Sequence, residues 1–216
     1  MVVFDDVIAA NTSARLRALT KGLFFPTGGQ LVTFVVDGRE IGTTLSGGDG
    51  YAFHRYTPRG TGVFPLEARA GDEMDTGTII VMGAGDRLIL VEIESALLEP
   101  SLALAPRQDS NPALRKLSQD SRVLYLTTLM GVPRARAWLA DHEFPLSAVM
   151  KWEGGRFLDR CREDGIDVSA IIASPAVLDE AQGVSDRFSF QATDSGEKTG
   201  GWNKLLEQLQ NRKNGP

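Results

Sequence analysis

Up to residue 82, apolar positions alternate with polar ones or fall in short runs broken by Gly and Asp-Gly, and no stretch carries an apolar stripe at helical spacing. The pattern predicts strands over 14–19, 31–36, 39–44, 51–56, 63–69 and 78–82. Asp37-Gly38 is a two-residue hairpin signal, because the favoured turn holds both central residues at positive φ. Gly47-Gly48-Asp49-Gly50 marks another reversal. Short strands at turn spacing, without helices, predict a β-sandwich.

Beyond Gly83 the texture changes to apolar runs alternating with helical patterns, as a parallel sheet with crossover helices requires. Strands are expected over 87–93, 123–127 and 168–173, with an extended segment at 148–152. Helices are expected over 112–119, opened by Asn111 and Pro112, and over 133–141, 156–163 and 175–182. The clearest helix follows, since Trp202, Leu205, Leu206 and Leu209 fall at i, i+3, i+4 and i+7. Residues 191–201 read as a loop and 211–216 as a frayed tail. Gly83-Ala84-Gly85 precedes a strand instead of following one, which makes it a linker and not a dinucleotide loop. Two domains are therefore expected, an all-β sandwich over 1–83 and an α/β domain over 84–216.

Composition fits this division. The 216 residues are 42% hydrophobic and 24% charged, ordinary for globular domains with real cores. The net charge of −5, with no stretch that concentrates Lys and Arg on one face, argues against nucleic acid as a partner. No apolar run approaches the ~18 residues of a membrane-spanning helix. The start, Met1 to Asp6, lacks a basic region followed by an apolar stretch, which leaves a cytoplasmic home or an exported one with its leader removed. The single Cys161 forbids an internal disulfide, and its spacing from Phe157 and Leu158 marks a core thiol. Trp138, Trp152 and Trp202 read as packing residues.

Candidate chemistry sits at the end of the first strand of the second half. Leu88-Ile89-Leu90-Val91-Glu92-Ile93-Glu94 places two carboxylates at i and i+2 on the strand's carboxyl edge, where open parallel sheets bind ligands. With Ser95-Ala96 following, this run resembles the first motif of the haloacid dehalogenase superfamily, with Glu at both Asp positions. The resemblance implies a HAD-like α/β fold in which Glu92 stands for the phosphoryl-accepting nucleophile and Glu94 for the general acid/base, with Mg²⁺ bridging the first to phosphate. Val123 to Thr128 resembles the second motif, with Thr127 at the phosphate position. The stretch from Gly131-Val132-Pro133 through Trp138-Leu139 to Phe144-Pro145-Leu146 is similar to the lipin-type phosphatidate phosphatase branch, with Leu129 where that branch has Arg. Lys151 or Arg156 stands for the third-motif Lys. Ala173 and Val177 occupy the places of the fourth-motif acids, and Asp179 comes two positions too late. These departures predict that no cofactor is held, with Mg²⁺ on Glu92 and Glu94 only if residual activity survives.

The first half carries a resemblance of its own. Val32 to Gly42, then Asp49-Gly50-Tyr51-Ala52, then Gly62 to Ala68 is similar to bacterial Ig-like repeats. Together the two resemblances imply a non-catalytic, phosphatase-like binding or structural module, its partner an unknown protein or phosphorylated ligand. Two alternatives stand beside it. One is an active Mg²⁺-dependent phosphatase on phosphatidate or another phosphomonoester, and the other is an exported interaction protein.

Overall fold

The computed structural model describes residues 1–22, 26–99 and 104–213. The chain divides into two compact units, Met1–Ala84 and Gly85–Pro216.

The first unit contains β1 (Val2–Val3), β2 (Asp6–Ala9), β3 (Ala14–Leu19), β4 (Leu31–Val36), β5 (Arg39–Leu45), β6 (Tyr51–Tyr56), β7 (Gly62–Ala70) and β8 (Glu73–Met82). They form a three-stranded sheet in the order β1-β3-β6 and a five-stranded sheet in the order β2-β8-β7-β4-β5. Val3, Leu16, Ala18 and Ala52 of the smaller sheet share one buried cluster with Val32, Phe34, Leu66, Ala68 and Ile79 of the larger. Side chains from two sheets closing over one core make this unit a β-sandwich. Asp37 and Gly38 both have positive φ, 50° and 73°, so the β4–β5 turn has the expected backbone.

Two short strands escape the sequence pattern. β1 pairs antiparallel with β3, and β2 runs parallel to β8, so both depend on long-range partners instead of local alternation. Charge placement also differs from expectation. Arg15 and Arg17 alternate on β3, Arg55 pairs opposite Arg15, and the sheet gathers all three on one face. The Arg15 guanidinium lies 4.4 Å from the Phe53 ring centre and that of Arg17 lies 3.9 Å from Phe4.

The second unit contains β9 (Arg87–Glu92), α1 (Ser110–Asp120), β10 (Arg122–Thr127), α2 (Val132–Asp141), β11 (Val149–Lys151), α3 (Arg156–Glu163), β12 (Asp167–Ile172), α4 (Pro175–Glu180), β13 (Asp186–Ser189), β14 (Glu197–Lys198) and α5 (Trp202–Lys213). Its six strands form a parallel sheet in the order β11-β10-β9-β12-β13-β14. Ile89, Val91, Val123 and Tyr125 pack on one face with Leu114, Trp138, Trp202 and Leu205 of α1, α2 and α5. The alternate residues Leu88, Leu90, Leu124 and Leu126 are equally buried, so the strands read as continuous apolar runs. Winding reverses after β11, and right-handed crossovers put helices on both faces when winding reverses. The reversal leaves a crevice beyond the carboxyl ends of β9 and β12.

Several local expectations are corrected. β9 ends at Glu92, and Ile93–Leu97 forms a single π-helical turn. α1 begins at Ser110 behind Asp109, whose φ is 61°, while the Asn111 amide donates to the His142 carbonyl at 2.7 Å. The expected loop over 191–201 contains β14, because parallel pairing with β13 completes the sheet edge. The expected tail continues α5 through Lys213, and 214–216 lie outside the described residues.

Candidate functional site

Glu92 and Glu94 leave the sheet at the crevice. Glu92 closes β9 and is buried, with 2% of its surface exposed. Glu94 lies in the π-helical turn that follows, a local widening of the backbone often found at functional positions. Two distant side chains brace this turn. Trp202 donates its indole N–H to the Ala96 carbonyl at 3.0 Å, and Arg107 Nη2 donates to the carbonyls of Ser95 and Leu98 at 3.1 and 3.2 Å.

Both carboxylates are engaged by the protein itself. Glu92 Oε2 accepts from Ser95 Oγ at 2.7 Å and from the Ser174 backbone N–H at 2.6 Å, while its Oε1 accepts from Thr128 Oγ1 at 2.9 Å. Glu94 Oε1 accepts from Thr127 Oγ1 at 2.5 Å and from the backbone N–H groups of Thr128, Leu129 and Met130 at 3.2, 3.0 and 2.9 Å. Burial alone would push the Glu94 carboxyl up, but the donated hydrogen bonds outweigh it and hold the group below the ordinary carboxylate value.

The structure therefore brings Glu92, Glu94 and Thr127 together, with Thr127 fully buried between strand and loop. Lys151 and Arg156 are exposed, and neither lines the cavity described next. Ala173 is buried and donates its backbone N–H to Phe188. Val177 presents an apolar wall. Asp179, on α4, accepts from Ser195.

Beside the two carboxylates opens a cavity of ≈ 500 Å³, lined by Ser95, Leu129, Trp152, Val177, Glu180 and Gln191 among others. Leu129 stands at 87% exposure. Three carboxylates and no basic side chain line the space. Trp152, expected only to pack, borders it and donates its indole N–H to Glu180 at 2.8 Å. Thr128, Ser174 and Glu180 join the site without being marked for it by the sequence pattern. A hydroxyl next to Thr127 was visible, but the Ser174 N–H carries no side-chain signal at all.

No protein-family model and no curated protein matches the chain. Among solved structures it is similar to the CARDB domain of a Pyrococcus furiosus protein, at 18% identity over 36% of this chain and 86% of that one, with a TM-score of 0.30. Fibronectin(III)-like modules of Clostridium thermocellum CbhA match at 20% identity over 37% of this chain and 88% of theirs, TM-score 0.26. A carbohydrate acetylesterase from Xanthomonas citri matches at 11% identity over 68% of this chain and 38% of its own, TM-score 0.31.

Chemically, the arrangement is a pair of carboxylates used as hydrogen-bond acceptors. Glu92 takes three donors over its two oxygens, two on Oε2 and one on Oε1, and borders the cavity with only 2% of its surface exposed. Its three partners come from the π turn, the loop after β10 and the segment after β12, so it ties together the ends of three strands.

Proposed function

We propose that the α/β unit is a phosphatase-like module without turnover, retained for binding or structure. The observation that carries this reading is the Glu92 carboxylate, which stands at the nucleophile position of the resemblance and is held by Ser95, Thr128 and Ser174. A Glu side chain is also one methylene longer than Asp, and misplacement of about an ångström can cost ~10²-fold in rate.

The residues present do not fit the Mg²⁺ ion that the resemblance implies. Such an ion requires several converging oxygens in near-octahedral array. Here hydroxyl and N–H hydrogens point at both carboxylates, and Ala173 and Val177, at the fourth-motif places of the resemblance, carry no side-chain oxygen. Among the described residues no group of three or more His, Cys, Asp or Glu is placed to hold a metal. Three carboxylates without a cation also oppose entry of a phosphomonoester by like-charge repulsion.

The test is a turnover assay with a generic phosphomonoester and Mg²⁺. Background rates are expected. Hydrolysis that disappears in Glu92→Gln would overturn the proposal.

A further inference from the structure

Four donors converge on one oxygen of Glu94: the Thr127 hydroxyl and three consecutive backbone N–H groups, all within 2.5–3.2 Å. Successive N–H groups facing one point form a concave anion-binding nest. Such groups must be paired when buried, and an anion pairs them better than any neutral acceptor. In this loop the anion that meets the donors is the Glu94 carboxylate of the chain itself.

We propose that Glu94 is a tethered anion that plugs the 127–130 loop and closes it to free oxyanions. This rests on the reading that the unit does not turn over phosphomonoesters. The tether explains the exclusion. Glu94 sits in a π turn braced by Trp202 and Arg107, so its carboxylate is presented to the loop as an intramolecular ligand that a free anion must displace. Its depressed proton affinity agrees, since it stays charged wherever the protein is folded at neutral pH. The other oxygen, Oε2, accepts the Thr128 N–H at 3.2 Å, and the carboxylate adds negative charge to the cavity lining. Removing the plug leaves four donors facing the cavity, so the ligand class is a small oxyanion: formate, acetate, sulfate or phosphate.

The experiment is anion rescue. Glu94→Ala is compared with the unaltered protein by thermal melting in sodium formate, acetate, sulfate or phosphate, each against chloride at equal ionic strength. Formate and phosphate are expected to raise the Tm of the variant saturably, with the unaltered protein responding no more than it does to chloride. Glu94→Ala with Thr127→Val is expected to lose at least ~10-fold in apparent affinity, as fits loss of one of the pairing donors. That control also separates seating in the loop from general salting-out by sulfate and phosphate. If Glu94→Ala does not fold in chloride, formate is expected to restore its circular dichroism signal. Glu94→Gln, which keeps an acceptor without the charge, is then expected to gain more from phosphate than the unaltered protein does. Indifference of both variants to every anion, or an equal response from the unaltered protein, overturns the proposal. Phosphomonoester hydrolysis by the unaltered protein would instead overturn the proposed function and leave the rescue result to be judged alone.

Discussion

The carboxylate of Glu92 accepts the backbone N–H of Ser174 at 2.6 Å, across 82 residues of sequence. The bond joins the carboxyl end of β9 to the segment after β12, across the crevice where the sheet reverses its winding. With Ser95 and Thr128 donating to the same group, Glu92 acts as a buried junction.

Glu92→Gln should therefore destabilise the α/β unit by about 1–3 kcal/mol, because the amide leaves buried donors unpaired and brings hydrogens of its own. Urea unfolding measures the loss. Ser95→Ala and Thr128→Val share this acceptor, so a double-mutant cycle between them should show coupling of at least ~0.5 kcal/mol. Strict additivity would mean that the two hydroxyls do not act through one carboxylate.

Thr127→Val should cost about 1.5–3 kcal/mol, the range for a hydrogen bond to a charged group, since the hydroxyl is fully buried and its methyl replacement cannot donate. Carboxyl chemical shifts followed through an acid titration should show Glu94 moving up toward the ordinary value in this variant. An unmoved titration would assign the depressed value to the backbone N–H groups alone.

The folded-state proton affinity of Glu94 lies below the unfolded one. Its contribution to stability is present above the ordinary Glu value of ~4.3 and is lost as pH falls through the depressed folded value. Stability of the unaltered protein should drop across this acid window, and Glu94→Gln should flatten that part of the profile. An identical acid slope in both proteins would remove Glu94 from the linkage.

Gly50 has φ of 80°, and a Cβ there would lie 2.8 Å from the Thr20 carbonyl oxygen. That oxygen belongs to backbone already engaged, since Thr20 N–H donates to the Gly50 carbonyl at 2.9 Å. Gly50→Ala should cost about 1–3 kcal/mol through left-handed strain, with the contact added to it. Chemical denaturation of the β-sandwich unit reads the loss, and a neutral result would mean that the turn relaxes without penalty.

Local patterns determined much of this protein. Alternation with turn residues located β3 through β8, and Asp37-Gly38 specified its hairpin because positive φ is a local property of those two residues. Apolar runs and helical stripes located β9, β10 and β12 and the helices α1 to α5, and a strand ending in Glu92 and Glu94 pointed to the sheet edge where the candidate site lies. What stayed hidden depends on pairing and not on local period. β1, β2, β13 and β14 are two to four residues long and exist through pairing, which leaves too little sequence for a period to register. The grouping of Arg15, Arg17 and Arg55 needed the register of β3 against β6. The roles of the two glutamates were decided by tertiary structure alone. A carboxylate at a strand end can serve a substrate, a metal or the protein's own donors, and here the loop after β10 and the N–H of Ser174 supply those donors at hydrogen-bond distance.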